Sequence, residues 1–312
     1  MKTSFVIPCY GSEKTIADVV SELKQLVQSI PDCHYEIIMV SDASPDNVFQ
    51  VIKSLCREDP EHCKGAELAK NFGQHAALMA GYRIATGDFI LSLDDDGQAP
   101  IESVPQLIDA LKNADLVFGS YAHKRHNLFR NFGSKVNDWM AEFLLGKPKK
   151  LHVTSFFAMR RFIKDEILKY DNAYPYLLGL LLRTTKNIVN VPVNHRERAE
   201  GKSGYTFRKL LRLWINGFTA FSVVPLRIAT FCGFLCAFLG GLGVVWCIVN
   251  KVLHPDAPLG YSSMMTTILF VGGMLMLMLG MIGEYIGRTY ICINKAPQYV
   301  IRSTTMENSN HE

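Results

Sequence analysis

The stretch ILSLDDDGQAP occupies residues 90–100. An apolar run passes directly into three adjacent carboxylates, Asp94, Asp95 and Asp96, followed by Gly97, Gln98 and, at position 100, a proline. A short apolar segment bounded by turn residues reads as a buried strand. Three like charges at its exit repel one another unless a cation neutralises them. Along an extended segment alternate side chains share a face, so Asp94 and Asp96 are expected to point one way and Asp95 the other. Paired hard oxygen donors suit Mg2+ or Mn2+, Gln98 can add an amide oxygen, and Gly97 lets the chain turn. Capping of the following helix would account for one aspartate, not for three after a buried strand.

On both sides of this stretch strands and helices alternate. TSFVIP reads as a strand, KTIADVVSELKQLVQSI as a helix, YEIIMVSDAS as a strand, and NVFQVIKSLCRED as a helix. GAELAK, GQHAALMAGYRIA, DFILSLD, IESVPQLIDALKN and DLVFGSY continue the pattern. Such alternation implies an α/β fold with a mostly parallel, Rossmann-like sheet covered on both faces. Ligands bind outside the carboxyl ends of the strands in sheets of this kind. IPCYGS, SDAS and DDDGQ all fall there. Neither a GxxxxGK[ST] loop nor a GxGxxG after the first strand is present, so a metal and basic side chains would have to hold any phosphate.

The chain has 312 residues, 48% hydrophobic, with a formal net charge of +4. Two uncharged apolar runs, Ile228 to Asn250 and Met264 to Gly283, each have roughly the ~20 residues of a membrane span. Basic residues flank the pair and only Lys251 lies in the loop between them, which places both termini on the cytoplasmic side. MKTSFVIPCYG does not read as a signal peptide. The expected location is the inner, cytoplasmic membrane, multi-pass, with the catalytic domain in the cytoplasm. Eight cysteines without a CxxC pair are expected to be free thiols in a reducing compartment.

Residues 194–214, NHRERAEGKSGYTFRKLLRLW, carry six basic side chains: Arg196, Arg198, Lys202, Arg208, Lys209 and Arg212. From Tyr205 onward, apolar residues at helical spacing oppose Arg and Lys, as in a helix lying in the membrane interface. HNLFRNFGSKVNDWMAEFLLG, at 126–146, reads as a second amphipathic helix, and residues 123–126 as a basic loop. The expected organisation is a cytoplasmic domain over 1–204, an interface helix over 205–225, and two transmembrane helices within 226–290, at about 228–250 and 264–287. A cytoplasmic tail is expected over 291–312, its last ten residues, STTMENSNHE at 303–312, polar and disordered.

These motifs together resemble family 2 glycosyltransferases of the GT-A fold. Within them the resemblance is to polyprenyl-phosphate glycosyltransferases, the group of dolichol-phosphate mannose synthase and the bacterial undecaprenyl-phosphate glucosyl and aminoarabinosyl transferases. SFVIPCYGSEKTI resembles the family's VIPxYNE opening, and IIMVSDASPDN its IVxVDDGSxD. LAKNFGQHAALMAGYRIATGDFILSLDDDGQAP is similar to RNFG, AGxxxAxGD and DADLQDPP in sequence. HRERAEGKSGYTFRKLLRLWINGFTAFSVVPLR resembles RxRxxGxSKY and the entry to the membrane, and GEYIGRTY the end of the second span.

The resemblance implies roles. Pro8, Tyr10 and Asp42 would cradle the nucleotide base and ribose, with the Asp95 backbone near the ribose; apart from the resemblance, Lys70 and Asn71 stand at a strand-to-helix turn from which they could reach a phosphate. Asp94, Asp96 and Gln98 would hold the Mg2+ or Mn2+ that binds the donor diphosphate. Arg196, Arg198, Lys202, Ser203 and Tyr205 would hold the lipid phosphate. The activity implied is inverting, metal-dependent transfer of a sugar, from a UDP-sugar, to undecaprenyl phosphate. Partners are the nucleotide-sugar, the lipid, the membrane and further copies of the chain, a tetramer among the options; no nucleic acid is expected. The alternatives are a different acceptor, or a non-catalytic scaffold that retains the fold. A processive polysaccharide synthase is disfavoured because QxxRW is missing.

Three positions depart from the family pattern. Ser41 replaces the first Asp of DDGS, Gly11 stands where Asn usually follows Tyr10, and Ser155 occupies the place of an Asp suggested as the base. A phosphate monoester, with its second pKa near ~6, is already mostly dianionic at neutral pH and needs no base. His75 reads more naturally as structural than as a donor contact, and Glu284 as an interface ion pair with Arg288.

Overall fold

The computed structural model describes residues 1–30, 34–121, 142, 147–194, 224–253, 260–294 and 296–306. The interface helix expected over 205–225, apart from its last two residues, the basic stretch from Arg196 to Tyr205, the basic loop at 123–126 and, apart from Glu142, the amphipathic segment up to 146 lie outside them. The chain divides into two compact units, Met1–Leu210 with Lys295–Glu312, and Leu211–Asn294.

The first unit is built on strands β1 (Lys2–Cys9), β2 (His34–Ser41), β3 (Cys63–Leu68), β4 (Phe89–Ser92), β5 (Leu116–Tyr121), β6 (Phe157–Arg160), β7 (Ile188–Val193) and β8 (Ile301–Thr304). Their order in one sheet is β7-β5-β6-β4-β1-β2-β3-β8. β1 pairs in parallel with β2 and β4, β2 with β3, and β5 with β7. β6 runs antiparallel between β4 and β5, and β8 runs antiparallel along β3. Phe5, Ile37 and Leu91, aligned across the three central strands, are all buried, as continuous apolar runs in a sheet covered on both faces must be.

The helices are α1 (Ile16–Gln28), α2 (Val48–Glu58), α3 (Gln74–Ile84), α4 (Val104–Ala110), α5 (Arg161–Ile167) and α6 (Leu177–Thr184). α1 buries Ile16, Val19, Val20, Leu23 and Val27, a single stripe at helical spacing. α3 buries seven residues in succession, Ala76 to Tyr82, because it lies directly on the sheet. A Cβ on Gly81 would stand 2.4 Å from Val6 Cγ1, so only glycine permits this approach. That contact sets where Gln74, at the start of α3, emerges.

At the amino-terminal edge of the parallel strands sits a buried ion cluster. Glu36, 0% exposed, is 2.7 Å from Lys64 Nζ and 3.0 Å from Lys2 Nζ. Its Oε1 also accepts from Ser4 Oγ at 2.6 Å and from the Thr86 amide at 2.6 Å. Burial alone would push its carboxyl up, but these donors outweigh burial and hold it well below the usual carboxylate range.

The expectation of disorder from Ser303 onward fails for residues 303–306, which continue β8 and its pairing with β3, and the segment before them is held as well. The Ala69 amide donates to the Val300 carbonyl at 2.8 Å, and Gln298 Nε2 donates to the carbonyls of Tyr170 and Asn172. β8 satisfies backbone groups that would otherwise be exposed along β3.

The second unit contains α7 (Val224–Leu253) and α8 (Tyr261–Ile293), which cover the two runs expected to span a membrane. They touch where a Cβ on Gly233 would meet Met278 Cε at 2.5 Å, and where Cys236 Sγ lies 3.3 Å from Met274 Sδ. Large apolar side chains on both, among them Phe234, Trp246, Phe270 and Met276, are exposed. Among the described residues one segment, Phe270–Ile293, is long and apolar enough to cross a membrane; the apolar part of α7, Ala229–Gly240, is shorter.

Candidate active site

Loops leaving the carboxyl ends of β1, β2 and β4, the lead-in to α3 and the segment before β6 supply the site. The antiparallel course of β6 is what brings Ser155 there. Ser92 at the end of β4 pairs with Phe157 at the start of β6, so Asp94, two residues past Ser92, faces Ser155, two residues before Phe157. Ser155 Oγ donates to Asp94 Oδ2. From the other side Gln74 Nε2 donates to Asp94 Oδ1 at 2.8 Å. Both oxygens of Asp94 are therefore directed by donors from distant elements.

The three carboxylates have three different surroundings. Burial pushes the Asp94 carboxyl up to about 6, and the charges of Asp96 and Asp95 add to the rise, against the hydrogen bonds of Ser155 and Gln74. Asp95 turns to the β1 loop, where its Oδ2 accepts the Tyr10 N–H at 2.9 Å and its carbonyl accepts Thr15 Oγ1 at 2.6 Å. Burial raises its carboxyl too. Asp96 Oδ1 accepts the Gln98 amide at 3.1 Å, closing a turn whose Gly97 has φ +73°. Burial, and then the charges of Asp94 and Asp96, push the Tyr121 phenol up to about 12. The end of β5 thus faces the same acidic pair.

The other residues expected at the donor are placed unevenly. Pro8 is half-buried within β1, and Tyr10, just beyond it, is 54% exposed. Asp42 is 3% exposed, and its two oxygens accept the amides of Phe72 at 2.7 Å and Gly73 at 2.8 Å. Its carboxylate fastens the lead-in to α3. Lys70 is exposed, with Nζ 5.0 Å from the centre of the Phe72 ring. His75 Nδ1 is buried with no hydrogen-bond partner among the described residues, its ring edge-on to Tyr176 at 5.7 Å. Burial lowers the imidazole to about 4, so it is neutral at pH 7. Arg196, Arg198, Lys202, Ser203 and Tyr205 lie outside the described residues. Gln74, Thr15 and Tyr121 join the site although no motif singles them out; a lone glutamine at a helix start has no local signal.

The donor set can be tested against a divalent cation. Among the described residues no group of three or more His, Cys, Asp and Glu side chains comes together as a self-sufficient metal cage. Two neighbouring carboxylates, one of them raised by burial and then by the other's charge, fit instead an ion that takes its remaining oxygens from water and a diphosphate.

The alternating sheet with an acidic loop at its carboxyl edge is an α/β architecture that binds its ligands at that edge. The chain matches the model of glycosyl transferase family 2 over residues 4–169, and that of the GtrB C-terminal hairpin over 224–289. It belongs to glycosyl transferase family 2 and is a glycosyltransferase. It is 31% identical over 306 residues to a prophage bactoprenol glucosyl transferase homolog of Escherichia coli (strain K12), covering 97% of this chain and 99% of that protein. To the undecaprenyl-phosphate 4-deoxy-4-formamido-L-arabinose transferase of Yersinia enterocolitica it is 30% identical over 305 residues, covering 96% and 93%. Among solved structures, glucosyl-3-phosphoglycerate synthase from Mycobacterium tuberculosis, in complex with Mn2+, UDP-glucose and phosphoglyceric acid, superposes with a TM-score of 0.52 at 17% identity. That match covers 69% of this chain and 78% of the other, and shows the shared fold.

Proposed function

We propose that this enzyme transfers a sugar from a nucleotide-sugar, a UDP-sugar, to the phosphate of a polyprenyl lipid, undecaprenyl phosphate, with inversion at the anomeric carbon. The observation that carries the reading is likeness over nearly the full length, hairpin included, to two proteins named for bactoprenol or undecaprenyl-phosphate sugar transfer. The acidic loop at the carboxyl edge of the sheet supports a diphosphate donor.

Asp94 and Asp96, with the Gln98 amide oxygen, are the residues that would hold Mg2+ or Mn2+. When bound, such an ion acts as a Lewis acid that neutralises the charge developing on the departing nucleoside diphosphate. Tyr10 offers an exposed ring to the base. Gln74 and Ser155 orient the Asp94 carboxylate. Ser155, whose hydroxyl donates to that carboxylate, is not a base, and the reaction needs none: the lipid phosphate is mostly dianionic at pH 7. Arg196, Arg198, Lys202, Ser203 and Tyr205 are proposed to hold it, Arg through forked contacts and Lys as a point charge.

The apolar side chains exposed on α7 and α8 support two passes through the inner membrane, and the basic residues flanking the pair support a cytoplasmic catalytic unit. Gly240, Gly243, Gly272 and Gly273 have open space where a Cβ would stand, which supports close packing between copies in a homo-oligomer.

The test is incubation of membranes containing the protein with a panel of radiolabelled nucleotide-sugars and undecaprenyl phosphate. A labelled lipid, lost in excess chelator, is the expected product. Label on no lipid with any donor, or equal transfer in chelator, overturns the proposal.

A further inference from the structure

We infer that Asp95 is a positioning residue that holds the Tyr10 backbone so that its exposed ring is ready for the nucleoside of the donor. The inference rests on the proposed donor reading, and assigns Asp95 neither to the metal nor to direct contact with the ribose.

Tyr10 and Gly11 follow a buried strand, and Gly11 takes a left-handed φ of +72°, which turns the chain out of the strand's extended course. An exposed loop of this kind loses conformational freedom on binding, at a cost of roughly 1–2 kcal/mol per residue fixed. Pre-ordering it removes that cost from the binding step.

The structure shows the pre-ordering. Asp95 Oδ2 receives the Tyr10 N–H at 2.9 Å, and the Asp95 carbonyl receives Thr15 Oγ1 at 2.6 Å, so one residue grips both ends of the loop. The next amide, Gly11 N–H, donates to Ser44 Oγ at 2.8 Å. Ser44 in turn donates to Asp46 Oδ1 at 2.6 Å, and Asp46 Oδ2 accepts the Glu13 amide at 2.9 Å. Glu13 returns the contact by accepting the Asn47 amide at 3.1 Å. The β1 loop is therefore stitched on one side to the β2 loop and on the other to the acidic loop. Asp95 is the only stitch that joins it to the acidic loop by a carboxylate among these contacts, and the Tyr10 ring is left 54% exposed.

Two substitutions separate geometry from charge. Asp95→Asn keeps an oxygen acceptor at the same reach and removes the charge; Asp95→Glu keeps the charge and moves the acceptor by one methylene. Binding of UDP with Mn2+ to the full chain in detergent is measured by calorimetry, with melting temperature recorded alongside. We expect Asp95→Asn to bind within about twofold of the parent and Asp95→Glu about tenfold more weakly, the scale of one hydrogen bond to a charged group. The Mn2+ concentration for half-maximal binding should not change in either. Adding Asp95→Glu to Tyr10→Ala should cost nothing beyond Tyr10→Ala alone, because the two act through one contact.

The inference is overturned if Asp95→Asn raises the Mn2+ requirement while Asp95→Glu does not, which is the behaviour of a metal ligand. Additive losses with Tyr10→Ala, or parent-like binding by both variants, overturn it equally. Failure of the parent to bind UDP at all, with or without Mn2+, overturns the donor reading itself and the inference with it.

Discussion

Thr305 Oγ1 accepts the Gly65 N–H at 2.8 Å and the Thr305 amide donates to the Gly65 carbonyl at 2.9 Å, across 240 residues of chain. The residues after the helical hairpin therefore close the edge of the catalytic sheet. A Cβ on Gly65 would stand 2.5 Å from Ile52 Cγ2 and 3.0 Å from Thr305 Cγ2. Gly65→Ala is expected to destabilise the first unit by about 1–3 kcal/mol through overpacking. Thr305→Val, similar in volume but without the acceptor, should cost about 1–3 kcal/mol by leaving the Gly65 N–H unpaired. Thermal unfolding of the detergent-solubilised chain checks both, and unchanged melting in both would refute the closure.

Asp96 and Ser155 should differ sharply in turnover. Asp96→Ala is expected to lower transfer at least about a hundredfold, the scale of removing a group that stabilises developing charge. Ser155→Ala removes one donor to Asp94 and should stay within about tenfold of the parent. Rates with labelled donor and undecaprenyl phosphate measure this. Equal inactivity in the two variants would mean that Ser155 takes part in the chemistry and that the base-free mechanism is wrong.

Gln74→Leu keeps the bulk of the side chain and removes the 2.8 Å hydrogen bond to Asp94. Groups that orient a metal ligand typically contribute about 10–100-fold in metal affinity. The Mn2+ concentration for half-maximal activity should rise about tenfold in this variant, with turnover at saturating Mn2+ much less affected. A normal Mn2+ requirement would leave Gln74 without a role in placing Asp94.

Glu36 sets an acid limit to stability. Its folded carboxyl lies below its ordinary value, so its contribution is fully present above the ordinary carboxylate range near pH 4.5 and is lost as pH falls toward the folded value. Glu36→Gln removes the anion opposite Lys2 and Lys64, both partly exposed, and should cost about 1–3 kcal/mol at pH 7, the scale of hydrogen bonds lost from a charged group. The gap between variant and parent should narrow as pH drops below 4. Denaturant unfolding at several pH values measures it, and a gap independent of pH would show that the charge on Glu36 does not contribute.

Much of the first unit is legible in local pattern. The stripe of Ile16, Val19, Val20, Leu23 and Val27 marks α1, and the apolar run ending at Asp94 marks β4. β6 and β8 are four residues each, FAMR and IRST, too short and too mixed in polarity for period or propensity to mark. They form because neighbouring strands offer unpaired backbone groups. The site divides in the same way. Asp94, Asp95 and Asp96 announce themselves by crowding three charges together, whereas Asp42, expected against the nucleotide, has its oxygens on the amides of Phe72 and Gly73.

By itself the amino-acid order determined the alternation of strands and helices, the two apolar helices and the position of an acidic loop after β4, because hydrophobic period and charge clustering act over a few neighbouring residues. Only the tertiary structure decided what each carboxylate touches: Asp94 with Gln74 and Ser155, Asp95 with Tyr10. Those contacts span 20 to 85 residues and exist only because α3 lies on β1 and β6 enters the sheet antiparallel beside β4. A hydrogen bond needs its two atoms within about 3 Å, and strand order, which no local pattern encodes, sets that distance.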